Sequence, residues 1–334
     1  MKRILYTGRL NAWTTTEARM RALAELGHTV VPLDSLPYLW RGPKLLAKVQ
    51  IHLLFGPNIV AYNRAFARAV ERERPDLVWV DSGLYVWPRT LRRVRRMTSA
   101  PILHYHSDNI EFQRRKHRLY LSGLRQYDVN VTTIEHNIPL LRQMGSPKVV
   151  QGEFGYDPAL HRPTRLTDAD RIRYGSDLTF IGHWEPSTEN LVLALLDGGF
   201  QVRRWGYGWY QARDRRLRAA TAIYGEEYVK ALAAAKICLC FLSKWNRNLS
   251  AGRTFEIPAI GGFFLAERTK DHESYYIEGQ EAEFFEGQNE LLTKACTYLA
   301  DAERREEIAR AGHARCMASG YSHKDRVRQI LEQV

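Results

Sequence analysis

The chain has 334 residues, 45% of them apolar and 26% charged. That is the balance of a globular protein of about two domains, since one core seldom grows past roughly 250–300 residues. No apolar run reaches the roughly 18–20 residues that a membrane-spanning helix needs, which excludes such a helix. The net charge of +12 is lopsided: residues 1–160 carry 24 lysines and arginines against 13 acidic residues, and the remainder carries 25 against 24. A basic half beside a neutral half points to an anionic partner: lipid, nucleic acid or an acidic substrate.

The opening "MKRILYTGRL" has two charges and then a short apolar run. It reads as a first strand, "RILYTG" (3–8), rather than as a signal peptide. "LNAWTTTEARMRALAELGHTVVPLD" (10–34) follows as loop, helix and strand, with Thr16 and Glu17 opening the helix and Gly27 closing it. This is a β-α-β unit. Residues 38–74 read as helices. "PDLVWVDSG" (75–83) is a strand with Asp81 at its C-terminal end, and "TLRRVRRMTS" is a helix. "PILHYHSDN" (101–109) is a strand that ends in His106, Ser107 and Asp108, and "YDVNVTTI" and "KVVQGEF" supply two more. Two basic runs, "RTLRRVRRM" (89–97) and "QRRKHR" (113–118), hold much of the excess charge and read as solvated helix faces.

"YDPALHRPTRLTDADRIRYGS" (156–176) is polar, holds two prolines and reads as a linker. A second βα series follows. "DLTFIG" (177–182), "QVRRWGYG", "KICLCFL" (236–242) and "GFFLAE" are strands. "ENLVLALLDGG", "GEEYVKALAAA", the stretch around 253–260, "ELLTKACTYLA" and "AERREEIARAGHARCMA" are helices, and "SHKDRVRQILEQV" is a last amphipathic helix. The fold class expected is α/β, with two doubly wound Rossmann-like domains. The first covers 1–160 plus the last helix, 322–334, and the second covers 161–321. Ligands bind such sheets at the carboxyl ends of their strands, here in a cleft between facing domains.

The four cysteines, at 238, 240, 296 and 316, form no C-x-x-C pair and have no histidines at zinc spacing. Buried free thiols in a reducing compartment, the cytoplasm, are expected. The lone D-x-D, Asp168–Ala169–Asp170, sits in the polar linker before a helix and reads as a cap rather than a metal site. No metal and no cofactor are expected.

"SAGRTFEIPAI" (250–260) carries the sharpest chemistry. It places Ser250 or Gly252 at a helix start directly after a buried strand. The first turn of a helix offers unpaired N–H groups and a partial positive charge, which suit phosphate. Arg253 adds a fork of donors that fits phosphate oxygens. Glu256 would repel phosphate but can hold a ribose diol. Together they suit a nucleotide diphosphate. The bland reading is an ion pair of residues three apart on a helix.

"RTFEIPAIGGFFLAERTKDHESYYIEGQEAEFF" and the following "ELLTKACTYLADAERREEIARAGHARCMASGYSHKDRVRQIL" resemble the C-terminal half of the CgeB-like (spore-maturation-protein-type) glycosyltransferases, of the GT-B, group 1, retaining kind. "LGHTV", "PDLVWVD", "YHSDN", "YDVNVTT", "YDPALHRP", "DLTFIG" and "WGYGW" fall in the family's order, so the resemblance covers nearly the whole chain. It implies a metal-independent transferase that uses a nucleotide-diphosphate sugar, of the kind that builds cell-surface polysaccharide. By it, Glu256 holds the donor ribose, Arg253 neutralises the diphosphate, and Thr254 belongs to the same donor-binding group. His106 lies near the donor sugar with Asp108 orienting it, and these two with Arg253 form the catalytic set. The retaining group carries two glutamates in an E-x7-E pattern, but Asn248 stands at the first position here. Asn248 can still bond a sugar hydroxyl, and Lys244 and Arg247 on the same loop can reach phosphate. Gly182 lets backbone approach the donor, and His183 takes the place of a basic residue near the diphosphate. Tyr207 and Trp209 are candidates for stacking on the base. Gly8, Asn11 and Thr15, in the first βα loop, line the acceptor side.

Residues 38–60 combine Trp40, Arg41, Lys44 and Lys48 with a leucine-rich face. They suit either an anionic membrane surface with a lipid-linked acceptor or ordinary docking on the core. The acceptor is a glycan, a lipid-linked species or a protein. Rival readings are a nucleotide-sugar epimerase and a non-catalytic surface or sugar-binding protein of the same fold. No nucleic-acid motif accompanies the basic half, so nucleic acid is not expected as a partner.

Overall fold

A computed structural model describes residues 1–111 and 117–334. Most of the basic run at 113–118 therefore lies outside the described residues. The chain divides into two compact units, one of Met1–Glu153 with His323–Val334 and one of Phe154–Ser322.

In the first unit, β1 (Arg3–Gly8), β2 (Thr29–Asp34), β3 (Leu77–Asp81), β4 (Ile102–His106), β5 (Val129–Thr132) and β6 (Val149–Gln151) form one sheet in the order β2-β1-β3-β4-β5-β6. Every pairing is parallel. A parallel sheet covered on both faces reads as continuous apolar runs, and every residue of "LVWVD" and "ILHYH" is buried. Side chains of alternating parity feed the two faces. Leu5, Val78 and Val80 pack with Phe66 and Val70 on one side, and Ile4, Tyr6, Trp79 and Leu103 pack with Leu23, Val327 and Ile330 on the other. The last helix, His323–Leu331, thus completes the first unit, packing on the Thr15–Glu25 helix with Arg326 ion-paired to Glu153.

In the second unit, β7 (Ser176–Ile181), β8 (Val202–Trp205), β9 (Ala235–Cys240), β10 (Phe264–Glu267) and β11 (Glu283–Phe285) form a parallel sheet in the order β11-β10-β9-β7-β8. The chain leaves β7 for β8 on one side and returns to β9 on the other. The strand order therefore reverses between β7 and β9, as it does between β1 and β3 in the first unit. Ligands of doubly wound sheets bind at such switch points.

Several local expectations are corrected. The Thr15–Glu25 helix is capped by Thr14, whose hydroxyl accepts from the Glu17 N–H, not by Thr16. Thr16 is buried and bonds Asp81 instead. The stretch 156–176 is not an open linker. It belongs to the second unit and holds the Asp168–Tyr174 helix, which a Thr167–Asp170 capping box starts. Asp168 and Asp170 thus lie in a helix first turn, and Asp170 also pairs with Lys230. The Lys270–Tyr275 helix and β11 were not expected at all. Cys238, Cys240 and Cys316 are buried free thiols, but Cys296 is exposed.

Candidate active site

The β7–β9 switch point is built around the helix Arg253–Ile260, which Gly252 opens and Gly261 closes in the left-handed region, at φ 87°. A chain of buried hydrogen bonds fixes the helix start. The Ala251 N–H donates to Thr254 Oγ1 (3.0 Å), and the Thr254 hydroxyl meets His272 Nε2 (2.9 Å). His272 Nδ1 meets the Glu267 carbonyl (2.7 Å), which can only accept, so Nδ1 carries the proton and Nε2 accepts from Thr254. Burial lowers the His272 pKa to about 4 and keeps the ring neutral, as this bonding requires. Thr254 is itself fully buried, so it holds the helix in place and has no surface for a ligand.

Arg253 extends from the first helical position across the switch point. Its Nη2 donates to the Phe241 carbonyl just after β9 (2.8 Å), and its Cζ lies 5.3 Å from the ring centre of Phe180 on β7. Its Nη1 lies beside Gly182, where an added Cβ would come within 3.4 Å of it and 2.6 Å of Phe180. Its Nε is buried with no hydrogen-bond partner. The guanidinium is therefore pinned at one corner with donors unspent, an arrangement that a ligand oxygen would complete. Glu256 folds back over the helix start. A Cβ on Gly252 would stand 2.6 Å from its Oε1, and its Oε2 accepts from the Tyr228 hydroxyl. Burial and the Glu256 charge raise the Tyr228 pKa well above its ordinary value, so Tyr228 remains a donor. Arg253 and Glu256 do not pair with each other.

The loop after β9 is held by an acid that sequence reasoning missed. Buried Glu185 accepts from the Ser243 hydroxyl and from the backbone N–H of Lys244 (2.9 Å). Lys244 pairs with Glu267 and is half exposed. Asn248 Oδ1 is buried without a partner, a second unspent polar atom on this edge. A second missed acid, Glu189, accepts from Trp184 Nε1 (2.7 Å) and from the N–H groups of Arg213 (2.7 Å) and Asp214 (3.1 Å), tying down the loop after β8. A signal was present: residues 174–202 contain no lysine or arginine, so acids there have no local cation and serve backbone donors.

That β8 loop sorts the aromatic candidates. Trp209 is 1% exposed and spends its indole N–H on the Gly182 carbonyl (3.1 Å), so it braces the strand end and offers no free face. Tyr207 and Tyr210 are exposed, with ring centres 5.9 Å apart, and exposed His183 lies 6.3 Å from Tyr207. Gly206 has φ 138°, and a Cβ on it would fall 2.0 Å from the Gly182 carbonyl oxygen. No side chain fits there.

In the first unit, His104 and His106 share one face of β4, with ring centres 5.6 Å apart. His104 is fully partnered: its Nδ1 lies 2.9 Å from Asn130 Oδ1 and its Nε2 lies 3.2 Å from the Tyr120 hydroxyl. His106 is buried, and neither ring nitrogen has a side-chain partner. Asp108 is exposed, and it is its backbone that meets the His106 ring. Burial lowers the His106 pKa to about 4, with Asp81 and the Asp108 backbone opposing, so the ring is neutral. The acid that shapes this edge is Asp81 at the end of β3. It accepts from Tyr6 Oη (2.7 Å), Thr16 Oγ1 (3.1 Å), Arg19 Nε (2.8 Å) and Arg19 Nη2 (3.0 Å). Burial raises its pKa, but the Arg19 charge and these bonds outweigh that and hold the carboxyl below its usual range. Gly8 packs against this cluster, where a Cβ would stand 2.8 Å from Thr16 Cγ2. Asn11 and Thr15 are exposed on the loop and helix start after β1. Trp13, Ser82 and Arg247, on the loops after β1, β3 and β9, each hold a positive φ, of 66°, 65° and 53°. Such strain gathers at functional edges, and nothing in the sequence marks it.

Among the described residues, no group of three or more His, Cys, Asp or Glu side chains is placed to hold a metal ion.

Two parallel-sheet α/β units, each with its own switch point, are the architecture of the GT-B class of fold. Residues 187–332 match the family described as glycosyl transferase-like. Over the whole chain, the fold is similar to that of sucrose-phosphate synthase from Thermosynechococcus elongatus (14% identity, 100% of this chain and 98% of that one, TM-score 0.68). It is also similar to Anabaena HepE, solved in complex with UDP-glucose (13% identity, 100% and 99%, TM-score 0.67). A putative UDP-N-acetylglucosamine 2-epimerase from Listeria monocytogenes is a further structural neighbour (13% identity, 98% and 94%, TM-score 0.53). No curated protein sequence matches the chain. The CgeB-like subtype has no support from these matches.

Proposed function

We propose that the protein is a glycosyltransferase that moves a sugar from a nucleoside-diphosphate sugar to an acceptor, in the cytoplasm, with retention and without a metal ion. The observation that carries this reading is Arg253, pinned at the β7–β9 switch point by the Phe241 carbonyl with its Nε buried and unspent. In the proposed reaction the bond from the anomeric carbon to the β-phosphate oxygen breaks. Arg253 and the helix start stabilise the charge that develops on the diphosphate, which is binding specific to the transition state. The bond to the acceptor forms on the same face, and the acceptor proton passes to the departing phosphate. Glu256, turned back over Gly252 and held by Tyr228, takes the ribose hydroxyls. Exposed Tyr207 suits the base, and the unspent Oδ1 of Asn248 suits a sugar hydroxyl. The HepE complex with UDP-glucose and the glycosyl transferase-like match over 187–332 support the donor class.

The test is a thermal-shift panel with UDP, GDP, CMP, dTDP and ADP, with and without Mg²⁺, on the wild type, R253A and E256A. A ligand at 100 times its Kd stabilises by about 2.7 kcal/mol. One nucleotide that shifts the wild type equally without Mg²⁺, and shifts neither variant, is the expected result. No shift with any nucleotide would overturn the reading in favour of a non-catalytic protein.

A further inference from the structure

The helix Lys44–Leu53 is inside out. Its buried side is small: Ala47 is its buried residue, and Ile51 packs toward Leu39, Ile59 and Trp87. Its outward side is apolar. Leu45, Val49 and Leu53 follow at four-residue spacing along one stripe with Leu46 beside it, and Leu45 is 73% and Leu53 63% exposed. Phe55, 63% exposed, continues the stripe past the helix end and stacks on Trp87 at 5.7 Å. A contiguous apolar face of this kind marks an interaction surface.

The surface next to it is cationic. Arg89 lies over the Trp87 ring at 4.1 Å, and Phe55, Trp87, Arg89, Arg92 and Leu119 line a groove of about 470 Å³. Trp87 and Arg89 also border an adjoining groove of about 690 Å³, lined further by Arg64, Arg93 and Arg96, with Glu71 as its acid. Lys48 edges the apolar stripe on its own helix. Among the described residues, Lys48, Arg89, Arg92 and Arg93 join no ion pair, whereas Arg95 on the same helix is paired with Asp128.

We infer that this face docks the protein on an anionic lipid bilayer, with Leu45, Val49, Leu53 and Phe55 entering the interface and the Arg89–Arg93 grooves taking lipid phosphates. Charge selects this occupant. A second copy of the chain would bring the same cations against one another, and an uncharged apolar partner would leave the arginines unanswered. Apolar side chains for insertion and adjacent cations for the headgroups are the two components that reversible bilayer attachment requires.

The full chain is sedimented with phosphatidylcholine vesicles and with vesicles that also contain phosphatidylglycerol. Binding is expected to the second kind alone and to fall sharply at high salt, as the screening length shrinks from ~10 Å at 0.1 M to ~3 Å at 1 M. In low salt, R89Q, R92Q and R93Q are each expected to weaken partitioning about fivefold. L45S/V49S should weaken it as well, with the thermal midpoint and nucleotide shift of the wild type retained as proof of folding. Equal binding to both vesicles, no binding, or a dimer in light scattering that L45S/V49S dissociates would each overturn the inference. The nucleotide panel reads separately, so failure here leaves the proposed activity standing.

Discussion

Replacing Arg253 separates binding from folding in a way few residues allow. The wild-type guanidinium makes one protein hydrogen bond, Nη2 to the Phe241 carbonyl, and keeps Nε buried and unpartnered. R253M removes the charge and the fork but keeps much of the volume. Folding loses one charged bond worth about 1.5–3 kcal/mol and sheds a buried donor whose desolvation costs about 1–3 kcal/mol, so stability should change little. A nucleoside diphosphate loses the charged donors, at about 1.5–3 kcal/mol per charged hydrogen bond, or roughly 10–150-fold in Kd. R253K keeps the charge but lacks the planar fork that presents separate nitrogens to the Phe241 carbonyl and to a phosphate, so much of the loss should remain. The assays are urea denaturation of the free protein and calorimetric titration with the nucleoside diphosphate and the bare nucleoside. Diphosphate affinity should collapse toward that of the nucleoside, and nucleoside affinity should not change. Unaltered diphosphate affinity in R253M, or a stability loss that accounts for the whole effect, would refute the reasoning.

Other consequences follow from the same contacts. G206A places a Cβ 2.0 Å from the Gly182 carbonyl oxygen at φ 138°, and urea denaturation should show a loss of about 2 kcal/mol or more. T254V strands the Ala251 N–H and His272 Nε2, so it should cost about 1–3 kcal/mol and weaken nucleotide binding through a loosened helix start; T254S should restore both. His106 and His272 are held near pKa 4 by burial, below the 6.5 of an unfolded histidine. The unfolded chain therefore takes up protons first. Their contribution is intact above pH 6.5 and is lost as pH falls from 6.5 toward 4, at up to about 1.4 kcal/mol per pH unit for each ring. H106Q should flatten a pH series of unfolding free energies by one ring's share.

Much of the fold was legible because parallel strands buried on both faces are continuous apolar runs, as "LVWVD" and "KICLCFL" are. Arg253 and Glu256 were legible for a related reason. They follow a buried strand at a helix start, and that placement is local in sequence. What sequence reasoning missed depends on distant partners. The acid that organises the edge beside His106 is Asp81, bonded to Tyr6 and Arg19 some sixty to seventy-five residues away. Glu185, Glu189 and His272 likewise act on loops far along the chain. Within "WGYGWY" the pattern could not say which ring turns inward, and it is Trp209 that does. β11, a three-residue strand between helices, carries too short a run to show a period.

The central claim is transfer of a sugar from a nucleoside diphosphate, and the most direct measurement is release of that diphosphate. The wild type, R253A and E256A would each be incubated with a set of UDP-, GDP-, dTDP-, CMP- and ADP-linked sugars in EDTA, and products followed by mass spectrometry and proton NMR. The account predicts that the wild type frees the nucleotide from one donor class, slowly onto water where no acceptor is supplied, and that both variants do not. A donor that binds yet returns as its epimer, or a wild type no faster than R253A on every donor, would contradict it.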